Sequence, residues 1–245
     1  MTAADIIALE DLSSRAWPAR VTGRLGGWRL NATDGFTGRA NTCWTLEDPG
    51  RPAADAIAAV EAWYFDRRLP PRFKTTDHVA APDGVTQALH DLGYQPSTET
   101  LVMVGPVGGE IGAVAVGKEA DVPFQSVLFD ALYKGSADAQ ERLETLGRIP
   151  DPVFFARLDV DGVPAAIGAC AVEGDWGGLS VMRTRPDQRR KGLARQVVSA
   201  LLASAARVGA RRSYLQVEAK NLGAIALYER CGFSKAYGYR YWGKD

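Results

Sequence analysis

The most constraining part of the chain is the stretch from residue 153 to residue 242. Val153–Val160 and Ala165–Val172 are strand-forming runs on either side of Asp161-Gly162. That dipeptide is a strong β-hairpin signal, because the favoured tight turns need residues that tolerate positive φ. Leu179–Thr184 supplies a third strand, Leu193 to about Val208 a long helix, and Tyr214–Glu218 a buried strand. Leu222–Cys231 is a helix with Gly232 at its C-cap position, and Tyr237–Trp242 is a last strand with Tyr237, Tyr239 and Tyr241 on one face. The order βββαβαβ predicts an α/β (α+β) fold: a mixed β-sheet flanked by helices.

The preceding half repeats part of that order. Thr2 caps an amphipathic helix with Asp5 three residues on, and the acids among its apolar residues argue against a signal peptide. Gly26-Gly27-Trp28 opens a short strand, which the Asn31–Gly35 turn returns into a second one near Thr37 to Leu46. After the break at Asp48-Pro49-Gly50-Arg51-Pro52 come a helix from Ala53 to Arg68, a strand from Phe73 to Val79, a helix from Gly84 to Leu92 closed by Gly93, and a strand from Thr98 to Val104. Helix–strand–helix–Gly–aromatic–strand thus occurs at 53–104 and again at 193–242, with Gly93-Tyr94 and Gly232-Phe233 at an offset of 139 (232 − 93). Residues 105–121 are Gly-rich, so the boundary is placed there: a smaller domain at 1–106, a linker at 107–120 and a second domain at 121–245, whose first helices are Phe124–Tyr133 and Ala137–Leu146.

Composition narrows the function. The 245 residues are 46% apolar and 24% charged, which supports a packed core rather than disorder. Lys plus Arg equals Asp plus Glu at 29 each, so the chain as a whole has no attraction for nucleic acid or anionic membranes. The charge is unevenly spread: residues 1–150 carry 14 basic and 20 acidic groups (net −6), residues 151–245 carry 15 and 9 (net +6). A polyanionic ligand belongs with the second half. Cys43, Cys170 and Cys231 form neither a disulfide framework nor a zinc pattern and suit a reducing cytoplasm. Two histidines, His78 and His90, are too lightly accompanied to suggest a metal site, and no apolar run approaches a membrane span. The Trp63-Tyr64-Phe65 cluster reads as helix core.

The chemistry concentrates in Arg185-Pro-Asp-Gln-Arg189-Arg190-Lys191-Gly192-Leu193-Ala194, a basic loop leading into a helix N-terminus. Free backbone N–H groups and the helix dipole favour an anion there, and Arg183, Arg185, Arg189, Arg190, Lys191 and Arg195 add charge suited to phosphates. No Walker A pattern is present. Arg189-x-x-Gly192-x-Ala194 resembles the acetyl-CoA pyrophosphate loop of the GCN5-related N-acetyltransferase (GNAT) family, Gln/Arg-x-x-Gly-x-Gly/Ala. Asn221-x-x-Ala224-x-x-Leu227-Tyr228-x-x-x-Gly232-Phe233 is similar to that family's second motif. The resemblance covers about residues 121–245, and the first half only by element order, as a degenerate GNAT-like half of a tandem protein.

That resemblance implies a role for each matching residue. Met182, Arg183 and Thr184 would offer backbone groups to the pantetheine arm. Arg189, Arg190, Lys191, Gly192, Leu193 and Ala194 would cradle the pyrophosphate, and Asn221 would contact the CoA portion or serve as an ordinary N-cap. Tyr228 would be the general acid toward the departing thiolate. Some family members carry a Glu where this chain has Gln216, which cannot accept a proton; Glu218 is the candidate base, Glu173 and Asp175 are weaker, and loss of the proton to water remains open. At the offset of 139, Arg189, Gly192, Ala194, Asn221 and Tyr228 fall on Gly50, Ala53, Asp55, Pro82 and Leu89, so the first half lacks the cofactor motif. The expectation is a cytoplasmic, metal-free N-acetyltransferase using acetyl-CoA as co-substrate and a primary amine of a small molecule or protein as acceptor. A non-catalytic acyl-CoA-binding regulatory protein is the alternative. The acceptor and the oligomeric state, a homodimer among the options, are left open.

Overall fold

The computed structural model describes residues 1–79, 84–97, 99–130 and 136–244. Its elements are α1 (Ala3–Arg15), β1 (Val21–Leu25), β2 (Trp28–Ala32), β3 (Cys43–Trp44), α2 (Ala53–Phe65), β4 (Phe73–Thr76), α3 (Val85–Asp91), β5 (Gln95–Pro96), β6 (Thr100–Pro106), β7 (Ala115–Gly117), α4 (Val122–Asp130), α5 (Ser136–Gly147), β8 (Val153–Val160), β9 (Val163–Glu173), β10 (Trp176–Thr184), α6 (Leu193–Arg207), β11 (Arg212–Glu218), α7 (Leu222–Arg230) and β12 (Ser234–Gly243). Pro82, Thr98 and the expected end of a helix at 131–133 lie outside the described residues. Among the described residues no helix is long and apolar enough to cross a membrane.

These elements form two compact units. One comprises Met1–Leu101 with Glu218–Lys220 and Ala236–Asp245, the other Val102–Val217 with Asn221–Lys235. The first unit therefore takes the last strand of the chain, which the contiguous stretch 121–245 did not anticipate.

In the first unit, β1 and β2 form an antiparallel hairpin with Leu25 opposite Trp28. Gly26-Gly27 is thus the turn itself, not the opening of a strand as expected, and the chain beyond residue 32 is a loop until the two-residue β3. A two-residue connection with Gly26 at φ 54° matches the twist of the flanking strands. From β2 the sheet continues through β3, β4 and β12, with β3–β4 parallel and β4–β12 antiparallel. Trp28, Leu30, Ile57, Val60, Tyr64, Phe73, Leu89, Tyr94 and Trp242 pack as its core. Tyr64 is fully buried and donates to the Asn31 carbonyl at 2.8 Å, whereas neighbouring Phe65 is exposed, so only part of the Trp63–Phe65 cluster is core.

Beside this core lies a buried ion pair. Lys74 and Glu10 are both fully buried and bonded to each other; Glu10 also accepts from the Tyr237 hydroxyl at 2.8 Å. The Lys74 ammonium lies 3.9 Å from the Trp44 ring centroid and 4.0 Å from that of Tyr239. Burial pulls the Lys74 pKa down, and the Glu10 carboxylate opposes that fall.

The second unit carries β6, β11, β10, β9, β8 and β7 in that sheet order. β8, β9 and β10 form an antiparallel meander, β10 and β11 run parallel, and α4 and α6 pack on the strands. The Gly-rich stretch after β6 is strapped to α6. The Glu110 N–H donates to the Ser199 hydroxyl, which donates to the Glu110 carbonyl, both at 2.9 Å.

Removing one partner of a buried ion pair strands the other charge away from water. Lys74→Met should therefore lower unfolding free energy by roughly 3–5 kcal/mol, and Lys74→Met combined with Glu10→Gln by clearly less, because no buried charge is then left unpaired. Urea unfolding of the two variants measures both. Equal losses would mean that the pair does not hold the first unit together.

Candidate active site

The site of the second unit starts from a defect in its sheet. β10 and β11 pair over only three positions, Trp176↔Arg212, Gly177↔Ser213 and Gly178↔Tyr214. Beyond Gly178 no residue of β10 pairs with β11, and the two parallel strands part. Two local features lie where the pairing stops. The Tyr214 ring folds over Gly178 so closely that a Cβ there would collide with its hydroxyl, and the same ring meets Trp176 edge-on at 6.0 Å. On the other edge of β10 a bulge sets Val181 and Met182 together opposite Gly168. Val181 carries the strain of that bulge at φ 54°, a value rare for a β-branched residue and typical of functional sites.

The bulge decides which atoms of the strand end are available. The Met182 side chain lies over Gly168, against the α6 side of the sheet, where a Cβ on Gly168 would meet its sulfur. Its carbonyl accepts from Arg183 at 2.9 Å. Met182, Arg183 and Thr184 form the end of β10, the third strand of the meander.

Beyond β10, a single 3-10 turn at Pro186–Gln188 leads into the basic loop. Arg190 and Gly192 are both left-handed, at φ 63° and 80°. Such residues gather neighbouring amides into an anion-binding concavity. Gly192 is the N-cap of α6, so the N–H groups of Leu193 and Ala194 have no carbonyl one turn behind to accept them. Among the described residues, Arg189, Arg190, Lys191 and Arg195 have no carboxylate within 4 Å; Arg185 is already paired with Asp130 at 3.2 Å. The helix N-terminus is thus surrounded by four uncompensated cations, a good match for several phosphate charges.

Asn221 and Tyr228 lie on α7 in the same unit. The Asn221 side-chain oxygen accepts from the Ala224 N–H at 3.2 Å, so it is the N-cap of α7. Tyr228 is 7% exposed and meets Phe233 edge-on at 6.0 Å. Burial pushes its phenol up to about 12, opposed by the Arg183 guanidinium. Glu218 is exposed at the end of β11, bonded to Lys220 at 3.0 Å, and belongs to the first unit. Asp175 is engaged by Arg212 at 3.0 Å. No group of metal-ligating side chains is present among the described residues. The sequence reading missed Gly178, Tyr214 and the Val181 bulge; the Gly177-Gly178 pair inside a strand was the available signal.

Known proteins agree with this architecture. A family model described as "Probable histone acetyltransferase Rv0428c C-terminal" matches residues 3–242. The chain is 30% identical over 246 residues to "Uncharacterized N-acetyltransferase YobR" of Bacillus subtilis, covering 97% of this chain and 98% of that protein. It superposes on a solved structure described as a GCN5-related N-acetyltransferase from Kribbella flavida with a TM-score of 0.69 at 18% identity, covering 100% of this chain and 96% of that one. A second solved structure, described as a tandem GNAT protein from the clavulanic acid biosynthesis pathway, gives a TM-score of 0.58 at 13% identity, covering 96% and 86%. At those identities the two structures speak for the fold.

Gly192 allows a test that separates charge from shape. Its Cβ position is open, but its φ of 80° strains any side chain, Asn and Asp least. Gly192→Asn should keep most acetyl-CoA affinity in calorimetric titration, and the nearly isosteric Gly192→Asp should abolish it by placing a carboxylate among the phosphates. Unchanged affinity in Gly192→Asp would remove the loop from the site.

Proposed function

Since the chain belongs to this acetyltransferase family, among the GCN5-related N-acetyltransferases, we propose that it transfers an acetyl group from acetyl-CoA to a primary amine of a small molecule or a protein by direct attack. The observation that carries the reading is the parting of β10 from β11 beyond Gly178, in the same unit as a helix N-terminus ringed by unpaired cations. An amide-rich arm ending in a pyrophosphate has the two kinds of group that such a gap and loop can satisfy: peptide-like bonds for strand edges and phosphates for helix N–H groups.

In the proposed reaction the amine nitrogen attacks the thioester carbonyl carbon, the C–S bond breaks, the thiolate leaves and the nitrogen loses a proton to give the amide. Met182, Arg183 and Thr184 would hold the pantetheine arm through their backbone, Arg189 to Ala194 the pyrophosphate, and Asn221 the CoA portion with whatever its cap leaves free. Tyr228 would serve the leaving sulfur. Its pKa of about 12 sets how. Burial holds this phenol well above an ordinary thiol, so complete transfer of its proton to the thiolate runs uphill. Tyr228 therefore acts chiefly as a hydrogen-bond donor that stabilises charge growing on sulfur. The amine proton would go to Glu218 or to water.

The first unit fits the reading of a degenerate GNAT-like half. Its α3 ends as α7 does: Gly93 donates to His90 at 2.9 Å and Tyr94 to Leu89 at 3.0 Å, as Gly232 donates to Glu229 at 2.9 Å and Phe233 to Tyr228 at 3.0 Å. Leu89 holds the place of Tyr228, and α2 starts at Pro52 with no side-chain cap and no basic loop. One acetyl-CoA per chain is the stoichiometry that this reading requires.

Tyr228→Phe should lower turnover by roughly 10²-fold while leaving acetyl-CoA affinity within a few-fold, as expected for a group acting on the transition state. Steady-state kinetics with an amine panel, alongside titration of CoA, decide it; equal losses in both would make Tyr228 a packing residue. In the same assay Glu218→Gln should suppress the rise of kcat/KM with pH if Glu218 takes the proton, and leave it intact if water does.

A further inference from the structure

Tyr228 is held in place without a hydrogen bond of its own hydroxyl. Its side chain is 7% exposed, and among the described residues the hydroxyl has no hydrogen-bond partner. A phenol that must aim a donor at one sulfur needs its side-chain torsions fixed, and here ring packing has to fix them. The wall it rests on is Phe233, which is 3% exposed and meets it edge-on with centroids 6.0 Å apart and planes at 63°. The Phe233 N–H donates to the Tyr228 carbonyl at 3.0 Å, so backbone and rings both join the two residues.

What backs the Phe233 ring lies far away in the sequence. The backbone of Gly105, near the end of β6, is so close to it that a Cβ would come within 2.8 Å of Cγ and Cδ1 and 3.0 Å of Cδ2. Gly105 is not left-handed, so this close approach, and not a turn, is what requires glycine there. The strand end is pinned in its turn. The buried Ser213 hydroxyl bonds the carbonyls of Gly105 at 3.1 Å and Pro106 at 2.7 Å, and Ser213 is itself paired with Gly177 across β11 and β10. The Pro106 ring lies 3.2 Å from the place a Cβ on Gly232 would take. With the backbone at 105–106 held this way, a methyl group added at Gly105 is taken up by the Phe233 ring and passed to Tyr228. All of these residues belong to the second unit, although the expected boundary at residue 106 gave Gly105 and Pro106 to the first domain.

We propose that Gly105 is a positioning residue for acetyl transfer: by letting β6 lie flush against the Phe233 ring, it sets the direction in which Tyr228 presents its hydroxyl. The proposal rests on the acetyl-transfer reading and adds to it a residue outside the basic loop and the α7 motif. Gly105 touches neither substrate nor cofactor in this role; it acts through Phe233 on Tyr228.

The test is a double-mutant cycle in the full chain. Gly105→Ala should lower turnover about tenfold, less than the loss of the hydroxyl itself, and leave acetyl-CoA affinity within a few-fold. In a Tyr228→Phe background the same substitution should change turnover by less than about twofold, because no hydroxyl remains to be misplaced. Gly105→Ala combined with Phe233→Leu exchanges ring volume for the methyl group and should recover most of the turnover. Equal losses in both backgrounds, or parallel losses of turnover and affinity, would overturn the assignment. Phe233→Leu alone adds no overlap and serves where Gly105→Ala does not fold: it should lower turnover in the parent chain and leave it unchanged in Tyr228→Phe. Placement is also read without catalysis. In chain labelled with 3-fluorotyrosine, the 19F signal of Tyr228, assigned through Tyr228→Phe, should move in Gly105→Ala and return toward its parent position in the combined variant. An unmoved signal would overturn the positioning role. A moved signal in a chain that does not turn over acetyl-CoA would overturn the acetyl-transfer reading and leave the seating of Tyr228 by Gly105 standing.

Discussion

A backbone amide taken out of water must find a partner, and the pairing of β10 with β11 is short for two adjacent parallel strands. Three residue pairs join β10 to β11, and then the ladder stops. Two features flank the place where the pairing stops. The Tyr214 ring occupies the space over Gly178 at the last paired position and meets Trp176 edge-on. The bulge at Val181-Met182 turns the rest of β10 away from the register of β9. The cost is visible as a left-handed valine at φ 54°.

Electrostatics follows the same logic at the end of that strand. The second half of the chain carries the whole of its basic excess, and the loop concentrates it where α6 begins. Arg185 shows the contrast: it already has Asp130, whereas among the described residues Arg189, Arg190, Lys191 and Arg195 have no carboxylate within 4 Å. Tyr228 is placed differently. It is buried by its own helix and Phe233, so its phenol stays protonated throughout the physiological range. The pH dependence of a transfer assisted by such a group belongs to the acceptor amine and whatever removes its proton.

Much of this was legible in the sequence, and the reasons differ by element. The Asp161-Gly162 hairpin, the α6 and α7 helices and the Gly232 cap are local consequences of turn chemistry and helical periodicity, so they could be placed to within a few residues. Residues 26–46 were misplaced because Gly26-Gly27 reads equally as a strand opening and as a turn; only the register of Leu25 with Trp28 distinguishes them. Gly178 and Tyr214 are 36 residues apart (214 − 178), and nothing local says that one ring lies over the other glycine. Lys74 was equally silent, a charge in a short strand whose burial depends on Glu10 from the first helix and Tyr239 from the last strand.

That last dependence carries a consequence for how the chain must be made. The sheet of the first unit includes β4 paired with β12 over Phe73–Thr76 and Tyr239–Trp242. Tyr237 bonds Glu10, Tyr239 covers Lys74 and the Trp242 indole donates to the Thr75 hydroxyl at 2.8 Å, so three residues of the final strand complete a core begun by α1. A fragment ending near residue 106 keeps Glu10 and Lys74 but loses the aromatic wall that excludes water from them. A fragment beginning near residue 121 carries that wall with nothing to cover. Each unit has its own core, but the first is assembled from both ends of the chain, and its buried ion pair is desolvated only once the last strand has been made.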